Sequence, residues 1–186
     1  MSTTRKIGIW TSSLAALALF ASAAQAMTKA EIDANVRATL ERFYSEHPGN
    51  RELFNKAAGA LVFPGVTKAG VGIGGEHGDG AFLVDGAIVD HYKVSGVSVG
   101  ATLGAARRSE IILFMTREAR DKFENSKGWT IGADAGVAVA SLGAGGEFDS
   151  KTLQHPIVAF VMDEHGLIGD LSLEGAKVSR LATGHS

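Results

Sequence analysis

A period of two residues, with glycine or another small residue at every second position, is the strongest constraint on the fold of this chain. In KAGVGIGGE, residues 68–76, small and aliphatic side chains alternate with glycine. The period of two returns in VSVGATLG, residues 97–104, where serine, threonine and glycine hold the alternate positions, and again over residues 129–142. Such a period is typical of β-strands, whose successive side chains point to opposite faces. Glycine on one face lets another backbone or a large ring approach closely. The pattern therefore predicts strands with one face suited to close packing.

The turns between these segments predict an antiparallel sheet. In AFLVDGAIV, residues 81–89, the dipeptide Asp85-Gly86 separates two apolar runs, and this dipeptide favours the type I′ turn of a β-hairpin. A shorter strand is predicted at 61–63, ending at Pro64-Gly65. All such runs together give about eight to ten strands, and most connections are too short for the helical crossovers that parallel strands need.

Three segments have helical signatures. The first, residues 28–44, begins with the capping-box pair Thr28 and Glu31. Its apolar residues recur at helical spacing and are Ile32, Val36, Leu40 and Phe43. A second short helix is predicted from Asn50, and a third from Thr116 to about residue 125. The predicted fold class is α+β: a largely antiparallel, Gly-rich twisted sheet, with an N-terminal amphipathic helix and short helices packed on it.

The apolar stripe of the first helix has two interpretations. Its basic residues, Lys29, Arg37 and Arg42, suit a helix that lies on anionic lipid. The acidic residues Glu31, Asp33, Glu41 and Glu46 oppose that placement. We expect the stripe to pack on its own domain, since most such stripes are core faces.

The first 26 residues have the form of a secretory signal. Arg5 and Lys6 precede an apolar run, and Ala24-Gln25-Ala26 fits the A-x-A cleavage pattern. We therefore expect export to the periplasm or beyond, with residues 27–186 forming a single mature domain. Its formal charge is -4, because the signal holds two of the 18 basic residues and none of the 20 acidic ones. This balance gives no reason to expect nucleic acid as a partner. The chain also has no cysteine, which excludes disulfides and lipoprotein acylation.

Two motifs match the spacing of functional loops but not their setting. Gly70, Gly72 and Gly75 have the G-x-G-x-x-G spacing of a dinucleotide loop, yet a turn and a strand follow them instead of a helix. Ser98 lies in a G-x-S-x-G match, residues 96–100, and this motif needs a strand, a sharp turn and a helix. Strand alternation continues through Ser98, so a serine esterase is a disfavoured alternative.

Polar residues in the predicted strands and turns have mostly structural interpretations. Histidines and acids cluster at 76–79, 90–91 and 163–165, but turn chemistry explains them better than a metal site, and we expect neither metal nor cofactor. Asp134 lies within a predicted strand among small residues. It is expected to accept hydrogen bonds structurally or, alternatively, to contact a ligand.

Basic residues near strand ends suggest an anion site. Lys68 and Lys93 lie near two such ends, and Arg107-Arg108 forms an exposed-looking pair at a strand connection. If these four converge in space, they would form a site for anionic lipid headgroups even on an acidic protein.

Several runs in order resemble the SYLF domain family. They are LVFPGVTKAGVGIGGEHGDG, SVGATLGA, SEIILFMTREARDKFENSKGWTIGADAG and GLIGDLSLEGAKV, and the likeness spans about residues 52–181. The family includes yeast actin-patch proteins, SH3-containing phosphoinositide-binding proteins and exported bacterial proteins.

The resemblance implies a non-enzymatic lipid-binding module without catalytic residues, whose ligands are anionic phospholipids or phosphoinositides. Some members use an N-terminal amphipathic helix in lipid binding. The actin connection belongs to eukaryotic relatives, so we do not expect actin as a partner of an exported chain. A protein-interaction module of the envelope, without a lipid ligand, is the alternative.

Overall fold

The computed structural model describes residues 27–131, 137–141, 154–166 and 175–182. Its helices are α1 (Lys29–Glu46), α2 (Asn50–Lys56) and α3 (Arg117–Glu124). Its strands are β1 (Gly59–Val84), β2 (Ala87–Phe114), β3 (Trp129–Thr130), β4 (Val137–Ser141), β5 (Ile157–Gly166) and β6 (Lys177–Arg180). The predicted α+β class is confirmed.

Strand β2 is the centre of the sheet. It pairs with β1 along almost its whole length, while its first half also pairs with β6 and its second half with β5. These pairings are antiparallel, and β3 pairs with β6 in the same way. Strand β4 runs parallel to β5. The sheet is therefore largely antiparallel, as its short connections predict.

Strands β1 and β2 form one long hairpin around the predicted turn. Asp85 and Gly86 have φ angles of 50° and 77°, as a type I′ turn requires at both central positions. The predicted end of a strand at Pro64-Gly65 is wrong, because β1 continues through these residues as a bulge opposite Ser109. A bulge tolerates the missing N–H of proline, and the Ser109 hydroxyl donates to the Pro64 carbonyl at 2.9 Å.

The hairpin folds back on itself at a sharp bend in β1. A Cβ on Gly70 would lie 2.3 Å from the Cα of Gly74, although four residues of a straight strand span about 13 Å. Further along, a Cβ on Gly78 would meet Val66 at 3.0 Å, and one on Gly80 would lie 2.2 Å from the Val62 carbonyl oxygen. The second half of β1 thus lies on its first half. The predicted role of the glycines in close packing is confirmed at these positions.

Apolar side chains fill both faces of the curled sheet. One core cluster lies within the curl and contains Phe63, Phe82, Phe114, Phe123 and Trp129. The other lies under α1 and includes the whole predicted stripe of that helix. Thr28 and Glu31 form the predicted capping box, and Asp33 Oδ1 lies 2.7 Å from His91 Nε2 of β2. Helix α1 therefore packs on its own domain, as expected.

Candidate functional site

The fold-back divides the molecule into two ends. One end is the bend, which we define as residues 70–74 of β1 with the facing residues 97–104 of β2. Because β1 reverses there, its two termini meet at the opposite end. There Phe82 packs against Gly59, and α3 contributes Arg120 to the same contact.

Large apolar side chains are exposed at the bend. Val71 is 81%, Ile73 66% and Val97 80% exposed. In the strand register Val97 lies opposite Gly75, which shares a face with Val71 and Ile73. One further large apolar residue is exposed among the side chains that the structure describes, Val89, beside the hairpin turn. The alternation places Val71 and Ile73 on one face but does not predict that water covers it.

A cleft of about 390 Å³ adjoins the bend. One wall is Gly65, Thr67 and Ala69 from the first half of β1, and the other is residues 75–79 from its second half. Arg107 and Met27 complete the lining. The side chains that point to the cleft can recognise polar groups: arginine donates to anions, threonine donates and accepts, and carboxylates accept from hydroxyls. His77 Nε2 lies 3.6 Å from Asp79 Oδ1 in the second wall.

The four basic residues of the predicted headgroup site do not lie together on the surface. Lys93 and Arg107 are exposed and take part in no ion pair among the described residues. Lys68 and Arg108 are buried. The prediction that Arg107-Arg108 is an exposed pair is therefore wrong for Arg108. Neighbouring residues of a strand face opposite sides, and the folded-over half of β1 covers the side of Arg108.

Arg108 is the centre of a buried charge cluster. Its Nε donates to Glu110 Oε1 at 2.6 Å, and its Nη2 donates to Glu76 Oε2 at 3.1 Å. Lys68 adds a second positive charge near Glu110. Glu110 Oε2 has no hydrogen-bond partner in the described part of the chain. Burial raises the pKa of Glu110 from 4.5 to about 7, although Arg108 favours the charged carboxylate. The cluster ties the folded-over half of β1 to β2.

The sequence did not single out Glu76 or Glu110 for this role. One signal was present: Arg108 and Glu110 are opposite charges two residues apart, on the same strand face, at the start of an apolar run. The contribution of Glu76 had no local signal, because it comes from a residue 32 positions away.

The structure places the other motifs singled out in the sequence within ordinary strands or outside the described residues. Ser98 lies within β2 opposite Gly74, so the strand, turn and helix of a nucleophile elbow are not formed around it. Gly70, Gly72 and Gly75 lie within β1, with no helix after them. Asp134 lies outside the described residues. Among those residues, no three His, Asp or Glu side chains cluster as metal ligands would, and no described helix is long and apolar enough to cross a membrane.

The fold defines an α+β domain built on one folded-over hairpin. Residues 95–182 match a family described as Ysc84: Las17-binding protein actin regulator, and the match supports the resemblance to SYLF domains. The match covers slightly less than half of the chain, from within β2 to the end of the described residues. At the level of the family, the match supports a lipid- or actin-associated module. No curated protein matches the chain.

Proposed function

We propose that this chain is a non-enzymatic module of the cell envelope that binds anionic lipid headgroups. The observation that carries the proposal is the position of Arg107, an exposed cation that lines the cleft beside the apolar bend. A phospholipid joins an anionic phosphate to apolar chains. It therefore matches a site in which an arginine and an apolar surface lie side by side.

The lining of the cleft favours one class of headgroup. The guanidinium of Arg107 suits phosphate, because its fork of N–H donors matches phosphate oxygens. Asp79 lies in the opposite wall, where its carboxylate accepts hydrogen bonds from hydroxyls and repels further anions. A headgroup with phosphate and free hydroxyls, such as phosphatidylglycerol or a phosphoinositide, fits this lining better than phosphatidylserine, which carries its own carboxylate.

The folded surface, and not α1, supplies the lipid contact in this proposal. The apolar stripe of α1 lies in the core, so the helix has no apolar face to offer a membrane. Lys93 supports Arg107 as a second exposed cation, four residues from Val97 on the same face of β2. Each such cation near an anionic surface contributes about 1 kcal/mol.

The proposed location follows from the signal-like first 26 residues. Export would place the domain in the periplasm or outside the cell, at the surface of a membrane and away from actin. A fusion of residues 1–26 to a periplasmic reporter tests this directly: the reporter is active only if the segment directs export.

Vesicle co-sedimentation tests the lipid proposal. The mature protein should sediment with mixed phosphatidylcholine–phosphatidylglycerol vesicles, and more weakly with phosphatidylcholine–phosphatidylserine or pure phosphatidylcholine vesicles. Binding should fall as salt is added, since screening weakens attraction between exposed charges. Absence of sedimentation with anionic vesicles at low salt contradicts the proposal.

Charge-neutral variants locate the site. Arg107→Gln and Lys93→Gln should each weaken binding about five-fold, the equivalent of about 1 kcal/mol. Lys122→Gln is the matched control, because Lys122 is an exposed cation on α3, away from the bend. Equal losses in all three variants would mean that only overall charge matters and would remove the assignment to the cleft.

The alternative function is a protein-interaction module of the envelope. The description of the matched family favours it, because that description names a Las17-binding protein. In-cell cross-linking distinguishes the two functions when combined with the vesicle assay. A specific protein adduct together with no vesicle binding supports the alternative.

A further inference from the structure

We infer that the apolar bend inserts into the interfacial layer of an anionic membrane, with Val71, Ile73 and Val97 as the inserting side chains. The inference rests on the proposed lipid function and adds the mode of contact. Among the residues whose side chains the structure describes, three of the four exposed large apolar ones lie at this single end of the molecule. Such clustering marks an interaction site, whereas single exposed apolar residues are ordinary.

The size of the apolar surface favours lipid over a protein partner. A stable protein complex buries about 1,600 Å², and three aliphatic side chains supply a small fraction of that area. None of the three is a Trp, Tyr or Arg, the residues that dominate protein interfaces energetically. A small apolar surface is sufficient at a membrane when electrostatic attraction adds to it, because stable peripheral binding combines two weak signals.

The charges near the bend complement an anionic surface. Along β2, Lys93 is four residues from the bend and Arg107 is three residues from it, which is about 13 Å and about 10 Å in an extended strand. Lys177 of β6 is exposed and lies opposite Ser95, two residues before Val97. Glu76 is engaged inside with Arg108. The exposed charges that flank the inserting residues are therefore predominantly positive.

The backbone of the bend limits the depth of insertion. Strand edges and bulges carry polar groups that are costly to bury in hydrocarbon, and the register of β1 and β2 is interrupted between Val71 and Ile73. Only the side chains should leave water, with the backbone remaining at headgroup level. The geometry thus points to a shallow anchor.

Site-specific fluorescence tests the inference, and the absence of cysteine makes it direct. Val71→Cys, Ile73→Cys and Val97→Cys are each labelled with an environment-sensitive dye, and Val89→Cys, at the opposite end, is the control. On addition of phosphatidylglycerol-containing vesicles, dyes at the bend should shift to the blue and be quenched by spin-labelled lipid, while the dye at Val89 should not change. Unchanged dyes at the bend on protein that sediments with vesicles would overturn the inference and leave the lipid function standing. If the unlabelled protein does not sediment at low salt, the proposed function itself fails.

A triple variant measures the contribution of the bend. Val71→Ser/Ile73→Ser/Val97→Ser should fold normally, because the three side chains are exposed, and its thermal unfolding checks this. Each side chain that leaves water should contribute roughly ten-fold or less in affinity, so the variant should lose most binding at high salt and retain part of it at low salt. Val89→Ser should bind as the wild type does. Light scattering without lipid tests whether a second copy of the chain covers the bend instead. A wild-type dimer that the triple variant abolishes would contradict the inference.

Discussion

Glu76 and Arg108 are 32 residues apart in the sequence, yet Glu76 Oε2 lies 3.1 Å from Arg108 Nη2 inside the protein. The contact joins the folded-over half of β1 to the second half of β2. Arg108 also holds Glu110 at 2.6 Å, so a single guanidinium serves two carboxylates. Removing it would leave both carboxylates buried with reduced compensation.

Arg108→Leu should therefore destabilise the fold strongly at pH 8. Breaking a buried ion pair by deleting one partner costs about 3–5 kcal/mol. Urea unfolding measures the change, and Arg107→Leu is the matched control because the neighbouring arginine is exposed. The control should change the free energy of unfolding by about 0.5 kcal/mol or less. Equal effects of the two variants would contradict the structural role of the cluster.

Glu110 should make stability fall as pH rises from 4.5 to 7. Its pKa is 4.5 in the unfolded chain and about 7 in the folded one. In this window the folded state keeps a proton that the unfolded state has lost, so unfolding becomes more favourable with increasing pH. The contribution of protonated Glu110 to the free energy of unfolding is fully present below pH 4.5 and is lost by about pH 7, a total of about 3 kcal/mol.

Glu110→Gln should remove this part of the pH dependence, because the amide stays neutral throughout. Urea unfolding at several pH values compares its slope with that of the wild type. Glu118→Gln, at an exposed position of α3, should keep the wild-type slope. An unchanged slope in Glu110→Gln would mean that Glu110 does not titrate in this range. The groups facing Glu110 are Arg108, Glu76 and Lys68.

Gly80→Ala should destabilise the fold-back. The added Cβ would lie 2.2 Å from the Val62 carbonyl oxygen, and this backbone atom cannot move aside cheaply. Overpacking of this kind costs about 1–3 kcal/mol. At Gly75 the nearest atom to an added Cβ is 3.9 Å away, so Gly75→Ala should be tolerated. Thermal unfolding compares the two, and the opposite order of stability would contradict the two-layer packing.

Phe43→Ala should show that α1 is part of the core. Phe43 is fully buried, and its ring centroid lies 5.1 Å from that of Phe160 in β5. Truncation of a buried phenylalanine costs about 3–5 kcal/mol. Denaturant unfolding should report this loss, whereas Arg37→Ala, on the exposed face of the same helix, should be nearly neutral. A small effect of Phe43→Ala would mean that the helix leaves the domain readily and could meet lipid.

Local signals in the sequence were sufficient for the elements that depend on neighbouring residues. Asp85-Gly86 predicts its turn because only certain residues accept two positive φ angles in succession. The capping box of Thr28 and Glu31 and the four-residue apolar spacing of α1 likewise depend on a single turn of helix. These predictions did not require knowledge of the rest of the chain.

The fold-back could not be predicted in the same way. A period of two assigns residues to faces, but it does not say which face another layer covers. The burial of Lys68 and Arg108 and the exposure of Val71 and Ile73 both follow from the bend. That bend depends on contacts between β1 residues far apart in sequence, such as Val66 with Gly78. The glycines predicted close packing but not their partners.

The near symmetry of these contacts about residue 72 has a consequence for protein engineering. Gly70 meets Gly74, Gly78 meets Val66 and Gly80 meets Val62. One residue inserted at the bend would shift the second half of β1 against its first half. Side chains would then lie where the close approaches at Gly78 and Gly80 require glycine. The Asp85-Gly86 turn makes no such close approach, since nothing lies within 4 Å of a Cβ built on Gly86, and glycine is favoured there by its positive φ alone. A peptide tag or reporter domain is therefore better inserted at that turn, where the chain can gain length without losing its pairing.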